Sequence, residues 1–252
     1  MEKSLISLDI SACINKRKKF SFFSKLIFKE LLQRGHLLIF SFPYDIISKN
    51  FYYIKKLHLF NYPLICFNGG AIVYLNRKKK RIKIIYNPLK KDEINDLFYK
   101  IRDIKVECTI YYEDKNEIHY SPFLKKTINN DAISVKISLN KNNKEDFEKI
   151  LNKLSYINYY LLEDDDNLNY IIISKKSSKL VMIKRLQKDF KIKDGNVICF
   201  ENNHFDKDLL NNYENSYLLK ESNITLYQED KVFKKGIIRT LIHNHRDLFN
   251  QF

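Results

Sequence analysis

Leu5-Ile6-Ser7-Leu8-Asp9 opens the chain with a short apolar run that ends on a carboxylate. A run of this length, bounded by a polar residue, reads as a buried strand. In an open α/β sheet, ligands bind beyond the carboxyl ends of the strands, so Asp9 would stand where chemistry is done. A lone Asp after a strand is most often a turn residue or a helix cap. Its meaning depends on the elements around it.

The residues up to Gly70 repeat the pattern. Phe22 to Arg34 places Phe23, Leu26, Ile27 and Leu31 at helical spacing, and Gly35 is a good helix stop. His36 to Phe40 reads as a second buried strand, with Ser41 at its carboxyl end and Pro43 barring its continuation. Asp45 to Leu57 reads as a second helix. Pro63 to Phe67 is a third apolar run, and Asn68-Gly69-Gly70 is a tight-turn signal. Strands alternating with helices predict parallel pairing through crossover helices.

The middle of the chain differs. After Ala71 to Tyr74 and a basic stretch come the strand-like runs Arg81 to Tyr86, Glu107 to Tyr112, Glu117 to Tyr120 and Ala132 to Leu139. Helices are expected from Pro88 to Ile101 and from Lys144 to Leu154, then strands at Ile157 to Leu162 and Tyr170 to Ile173. The last part returns to the first pattern. Leu180 to Phe190 is a helix, Asn196 to Phe200 a strand, and Asp206 to Asn211 the start of a further helix. Tyr217 to Lys220 and Ile224 to Tyr227 read as final strands, and Val232 to His243 as a terminal helix. The chain therefore reads as a split α/β core with an α+β domain inserted in it.

Composition narrows the partners. The chain has 252 residues, 44% of them hydrophobic, enough to bury a substantial core. The net charge of +15 raises nucleic acid as a partner. The basic residues are spread along the chain, however, and only Lys16 to Lys19 and Arg77 to Arg81 are dense. No RNA-recognition, zinc-finger or helix-turn-helix signature accompanies them, which favours lysines on solvated faces over nucleic-acid binding. Cys13, Cys66, Cys108 and Cys199 lie far apart, without zinc spacing. No apolar run is long enough to span a bilayer, and the first residues lack the long apolar stretch of a signal peptide. A cytoplasmic protein with no membrane partner is expected.

Four polar positions fall at strand ends or helix starts of the core: Asp9, Ser41, Lys179, and the pair Asn202 and Asp206. Each alone is unremarkable as a loop or cap residue. Their order and spacing resemble a known family. LISLDISACI, residues 5–14, resembles the first motif of haloacid-dehalogenase-type phosphatases, where a strand ends in D-x-D-G-T. FSFPY, residues 40–44, is similar to the second motif of the Cof-like subfamily with a type IIB cap, and FNGGA, residues 67–71, resembles its S-N-G-A segment. KLVMIKRL, residues 179–186, and VICFENNHFDKDLL, residues 197–210, resemble the third and fourth motifs.

The resemblance implies a doubly wound, mostly parallel α/β core over residues 1–75 and 176–252, with an α+β cap over 76–175. It also implies Mg2+-dependent hydrolysis of small phosphorylated metabolites by a monomer or homodimer. An Asp carboxylate attacks phosphorus and forms an aspartyl-phosphate, while a hydroxyl and an ammonium hold the equatorial oxygens. Carried over, Asp9 is the nucleophile and a metal ligand. Ser41 and Lys179 bind phosphate, and Asn68 and Gly69 line the substrate side. Asn202 falls at a metal-binding position, with Asp206 supporting it.

The motifs also depart from the family. Ser11 occupies the place of the general acid/base Asp. Its carbonyl can bind metal, but its hydroxyl is no acid near neutral pH. Ala12 and Cys13 replace Gly-Thr, and Phe42 and Pro43 replace Gly-Arg. Asn202 keeps an oxygen ligand and loses a charge. Glu201 stands where Gly is usual and, beside a strand end, is expected to be exposed. Two readings are open: an inefficient phosphatase, or a pseudo-phosphatase of the same fold retained for binding a phospho-ligand or a protein.

Overall fold

The computed structural model describes residues 2–13, 21–44, 51–78, 81–114, 117–120, 127–163, 167–201, 207–219, 232–233 and 237–249. Five strands near the two ends of the chain run parallel at its centre: β1 (Leu5–Asp9), β2 (Leu37–Ser41), β3 (Leu64–Cys66), β11 (Val197–Glu201) and β12 (Asn215–Leu219). Strands β4 (Ala71–Leu75) and β5 (Arg81–Tyr86) extend one edge antiparallel, and β13 (Val232–Phe233) extends the other in parallel. Among the described residues the order is β13-β12-β11-β1-β2-β3-β4-β5. Residue 9 thus ends the strand at the middle of the sheet.

All of β1 and β2 is buried, as strands covered on both faces must be. Ile6, Leu8, Leu38 and Phe40 turn to one face, where they meet α2 (Phe22–Gln33) through Phe28 and Leu31. On that face also lie α3 (Phe51–Leu57), through Ile54 and Leu57, and α8 (Ile237–Asn244), through Ile237 and Leu241. The rings of Phe28 and Phe40 meet edge to face at 5.5 Å, the favoured aromatic geometry. Leu5, Leu37, Ile39 and Cys199 turn to the opposite face, against Met182, Ile183 and Leu186 of α6 (Lys179–Asp189) and Leu209 of α7 (Lys207–Asn212). Helices on both faces of a mostly parallel sheet make the doubly wound core that the alternation of strands and helices predicts.

A second sheet, order β7-β6-β8-β10-β9, comprises β6 (Val106–Tyr111), β7 (Glu117–Tyr120), β8 (Ser134–Asn140), β9 (Ile157–Glu163) and β10 (Asn167–Ser174), and its pairings are antiparallel. Its side chains alternate as a two-sided sheet requires. Tyr170 and Ile172 enter a core with α4 (Lys91–Lys100) and α5 (Lys144–Leu151), which contribute Ile94, Leu97 and Phe147. Ile171 and Ile173 face the other way and join the apolar cluster of the first sheet, as do Tyr111, Ile133 and Tyr160. The inserted layer is therefore packed onto the core by an apolar face.

Two expectations change. Val232 and Phe233 do not begin the terminal helix; they pair with Leu218 and Leu219 as β13, and the helix starts at Ile237. A β-branched and an aromatic residue favour the sheet edge over a helical turn. The segment Arg81–Tyr86, read from sequence as part of the insert, pairs with β4 from Ala71↔Tyr86 to Leu75↔Arg81, so residue 76 is not a sheet boundary. Its charged, partly exposed pattern is that of an edge strand. The expected strand at Ile224 to Tyr227 lies outside the described residues.

Candidate active site

Parallel register brings the strand ends level. Asp9 on β1 is the direct partner of Ser41 on β2, and Leu8 is the partner of Phe200, which puts Glu201 of β11 on Asp9's other side. Adjacent strands lie about 4.8 Å apart, so three polar side chains stand in a row at the carboxyl edge. Asp9 is 7% exposed, Ser41 1% and Glu201 0%.

Lys179 closes the row from outside the sheet. It is the first residue of α6, where Ser178 caps the helix by accepting from Val181 N–H. A cation at a helix N-terminus opposes the helix dipole, so this placement needs compensation. It has it: Lys179 Nζ donates to Asp9 Oδ2 at 3.0 Å and to Glu201 Oε2 at 2.8 Å. The lysine is only 2% exposed, which makes this a buried ion cluster rather than a surface pair.

The Asn68-Gly69 turn positions that helix. Phe67, Asn68 and Gly69 all have positive φ, at 54°, 49° and 100°. A Cβ on Gly69 would lie 2.2 Å from the Lys179 backbone nitrogen. The missing side chain is therefore what admits the start of α6 this close. Asn68 is buried, and its N–H donates to Phe42 O at 3.2 Å.

Electrostatics ties α1 (Ile10–Cys13) to the same cluster. The Cys13 thiol is pushed well up by desolvation first, and then by the negative charges of Asp9 and Glu201. This disfavours its thiolate form. Ser11 lies in this helix, directly after the strand.

The cluster can hold charge and bind oxygen. Two carboxylates sharing one ammonium suit a hard divalent cation better than they suit a second anion. Carboxylate oxygens are the donors that a magnesium ion takes, and Asp9 would be the first of them. Among the described residues, no group of three or more His, Cys, Asp or Glu side chains forms a ready-made metal cage. Ser41 Oγ is buried and has no hydrogen-bond partner among the described residues. Leaving a buried hydroxyl unsatisfied costs about 1–3 kcal/mol.

Of the residues singled out from sequence, Asp9, Ser41 and Lys179 converge. Asn68 and Gly69 border them through the turn. Asn202 and Asp206 lie outside the described residues. Glu201 is the departure: expected exposed, it is fully buried on Lys179. A cavity of about 260 Å³ is lined among others by Asn158, Tyr160 and Lys175 of the inserted layer, with Ser178 and Asp208. It reaches the cap of α6 but is not lined by Asp9 or Ser41.

Comparison with known proteins agrees with this architecture. Residues 11–233 match the family model of haloacid dehalogenase-like hydrolases. The match begins just after Asp9, whose place rests on β1 and its register. No curated protein matches the chain. Among solved structures, a HAD subclass IIB sugar phosphatase superposes with a TM-score of 0.70 at 13% identity, covering 98% of this chain and 100% of the other. A haloacid dehalogenase-like hydrolase from Bacteroides thetaiotaomicron gives 0.67 at 15% identity over 91% of both chains. A protein from Geobacillus kaustophilus gives 0.69 at 13% identity, over 98% of this chain and 99% of the other. Identities this low speak to the fold alone. The family model is the stronger finding, since its match runs from the first core strand's end through the inserted layer to the far sheet edge. On that match the chain belongs to the haloacid dehalogenase-like hydrolase family, with a doubly wound core and an inserted cap.

Proposed function

We propose that the chain is a magnesium-dependent phosphatase acting on small phosphorylated metabolites, with Asp9 as its nucleophile and a slow turnover. The observation that carries this reading is the buried Asp9–Lys179 pair, 3.0 Å apart at the carboxyl end of the central strand. In this reading Asp9 attacks phosphorus and forms an aspartyl-phosphate, expelling the alcohol. Lys179 and the Ser41 hydroxyl hold the equatorial phosphoryl oxygens, where transition-state charge is spread. The Ser41 hydroxyl, without a protein partner among the described residues, fits that role. Burial of the cluster lowers the local dielectric and strengthens each of these contacts.

Asp9, the Ser11 carbonyl and Asn202 would hold the magnesium. The metal's positive charge offsets the repulsion between carboxylate and phosphate. The cap, which we take to run from β6 through β10 with α4 and α5, would close over the phosphate and set specificity. Ser11 is the weak point. Without a carboxylic acid there, protonation of the leaving group and activation of water lose on the order of a hundred- to ten-thousand-fold. A phosphorylated form of the chain would then persist.

Hydrolysis of an aryl phosphate with magnesium tests the reading. Slow turnover is expected, lost in Asp9→Asn and raised about a hundredfold or more in Ser11→Asp. No gain in Ser11→Asp, with the metal bound normally, would refute the eroded-phosphatase account. A natural chain that binds phosphate yet never turns it over would leave the pseudo-phosphatase.

A further inference from the structure

Helix α2 carries apolar side chains on two faces. Phe28 and Leu31 turn inward to the core, and Ile27 and Leu32 pack against it. That stripe is all that a helix lying on one face of a sheet needs. Phe22, Phe23 and Leu26 lie outside it and are 77%, 55% and 48% exposed. Leu26 follows Phe22 at the i,i+4 spacing and Phe23 at i,i+3, so the three side chains are neighbours on the helix surface. The turn that bears them is fixed at its start: Ser24 N–H donates to the Ser21 hydroxyl at 2.9 Å, and the helix begins at Phe22. Single exposed apolar residues are ordinary, but two phenylalanines and a leucine gathered on one exposed turn mark a contact surface.

The charges around this turn say what it contacts. Helices α2, α3 and α8 share one face of the sheet. They carry Lys25, Lys29, Lys55, Lys56 and Arg239 against a single carboxylate, Glu30. Glu30 is paired with Arg34 at 2.7 Å. In the sequence, Lys16-Arg17-Lys18-Lys19 precede the helix. The phosphatase chemistry proposed above uses none of these residues. Exposed rings flanked by cations, with almost no acid nearby, complement the headgroup region of an anionic bilayer. The apolar side chains enter the acyl boundary while the ammonium groups stay with the lipid phosphates. A nucleic acid would engage the cations but leave Leu26 in water. No helix among the described residues is long and apolar enough to cross a membrane, so the contact is with its surface. We infer that the start of α2 is a docking surface for an anionic membrane: Phe22, Phe23 and Leu26 insert at the lipid interface, and Lys25 and Lys29 hold the headgroups beside them.

The test is co-sedimentation of the full chain with vesicles of phosphatidylcholine alone and of phosphatidylcholine with roughly 30% phosphatidylserine. Binding is expected to the anionic vesicles only, and it should fall steeply in about 0.5 M salt, where the charges are screened. Phe22→Ser/Phe23→Ser/Leu26→Ser and Lys25→Glu/Lys29→Glu should each weaken it about tenfold or more. None of these five side chains belongs to the core, and circular dichroism checks that the variants stay folded. Lys184→Glu/Lys188→Glu, on α6 at the opposite face of the sheet, makes the same change of charge and should cost far less. An equal loss in the two lysine variants would mean attraction by net charge alone and would overturn the inference. So would binding that the apolar variant leaves intact, or no binding to the anionic vesicles. Sedimentation velocity without lipid addresses a second copy as the occupant. A chain that self-associates, and that the apolar variant returns to a monomer, would make this face an interface between copies and overturn the inference as well.

Discussion

Lys179 shows how one residue can carry the organisation of a site. It stands at the unfavourable end of α6, buried, and is held there by two carboxylates from different strands. Truncating one partner of a buried ion cluster leaves uncompensated charge, at a cost of about 3–5 kcal/mol. Lys179→Met should therefore lower the unfolding free energy at neutral pH by an amount of that order, read from a lower urea midpoint. Glu201→Gln, which keeps a hydrogen bond to the lysine, should cost clearly less. Little of this is legible along the chain. Asp9 and Lys179 stand out because each sits at the boundary of a patterned element. Glu201 does not, because β11 is buried throughout, so no alternation marks which of its residues turn inward. Glu201 also opens a run of polar residues that reads as a loop. Only the packing of α6 against the sheet shows that a lysine lies opposite it.

At the scale of elements, the Asn68-Gly69 turn and α6 depend on each other. Gly69 is required twice, for its φ of 100° and for the space its missing Cβ leaves to the Lys179 backbone. Gly35 has a similar φ, 83°, but nothing lies within 4 Å of its would-be Cβ. The two glycines form an internal control. Gly35→Ala should cost about 1 kcal/mol of strain, readable as a small shift in urea midpoint. Gly69→Ala adds an overlap to that strain, of the kind that costs a further 1–3 kcal/mol or so. It should also reduce phosphate or Mg2+ binding, because the start of α6 must move; unaltered binding would break the link between turn and lysine. The turn itself is legible as Asn-Gly-Gly, but the element it makes room for lies far along the chain, at Lys179. Strand β5 is assigned to the wrong sheet from sequence for a related reason. Its charged, half-exposed residues suit an edge, and nothing local says which sheet that edge completes.

Across the whole molecule, the alternation of buried strands and amphipathic helices marks the doubly wound class, and the change of pattern in the middle of the chain announces an insert without marking where the first sheet ends, since β5 still pairs with β4. The cap's apolar face on the core, through Ile171 and Ile173, needs the structure. Two histidines report on the integrity of this assembly. His36 is buried with Nδ1 accepting from Ser4 N–H, and His245 lies within 3.0 Å of the Tyr217 hydroxyl, between α8 and β12. Burial lowers the pKa of both below the ordinary 6.5. The folded state then holds fewer protons than the unfolded one as pH falls below that value. Stability should be full above about pH 6.5 and decline as pH drops through the lowered folded values. Urea midpoints at pH 7.5 and 5.5 measure this, and His36→Gln/His245→Gln should flatten the difference. The central claim, that Asp9 is a nucleophile with an eroded acid/base partner, is tested most directly by acid-quenching the chain with an aryl phosphate and magnesium and mapping the modified peptide by mass spectrometry. A phosphoryl group is expected on Asp9, at higher occupancy in the natural chain than in Ser11→Asp, where turnover discharges it. A chain that hydrolyses the ester with no phosphoryl group on Asp9, or equally well as Asp9→Asn, would contradict the claim.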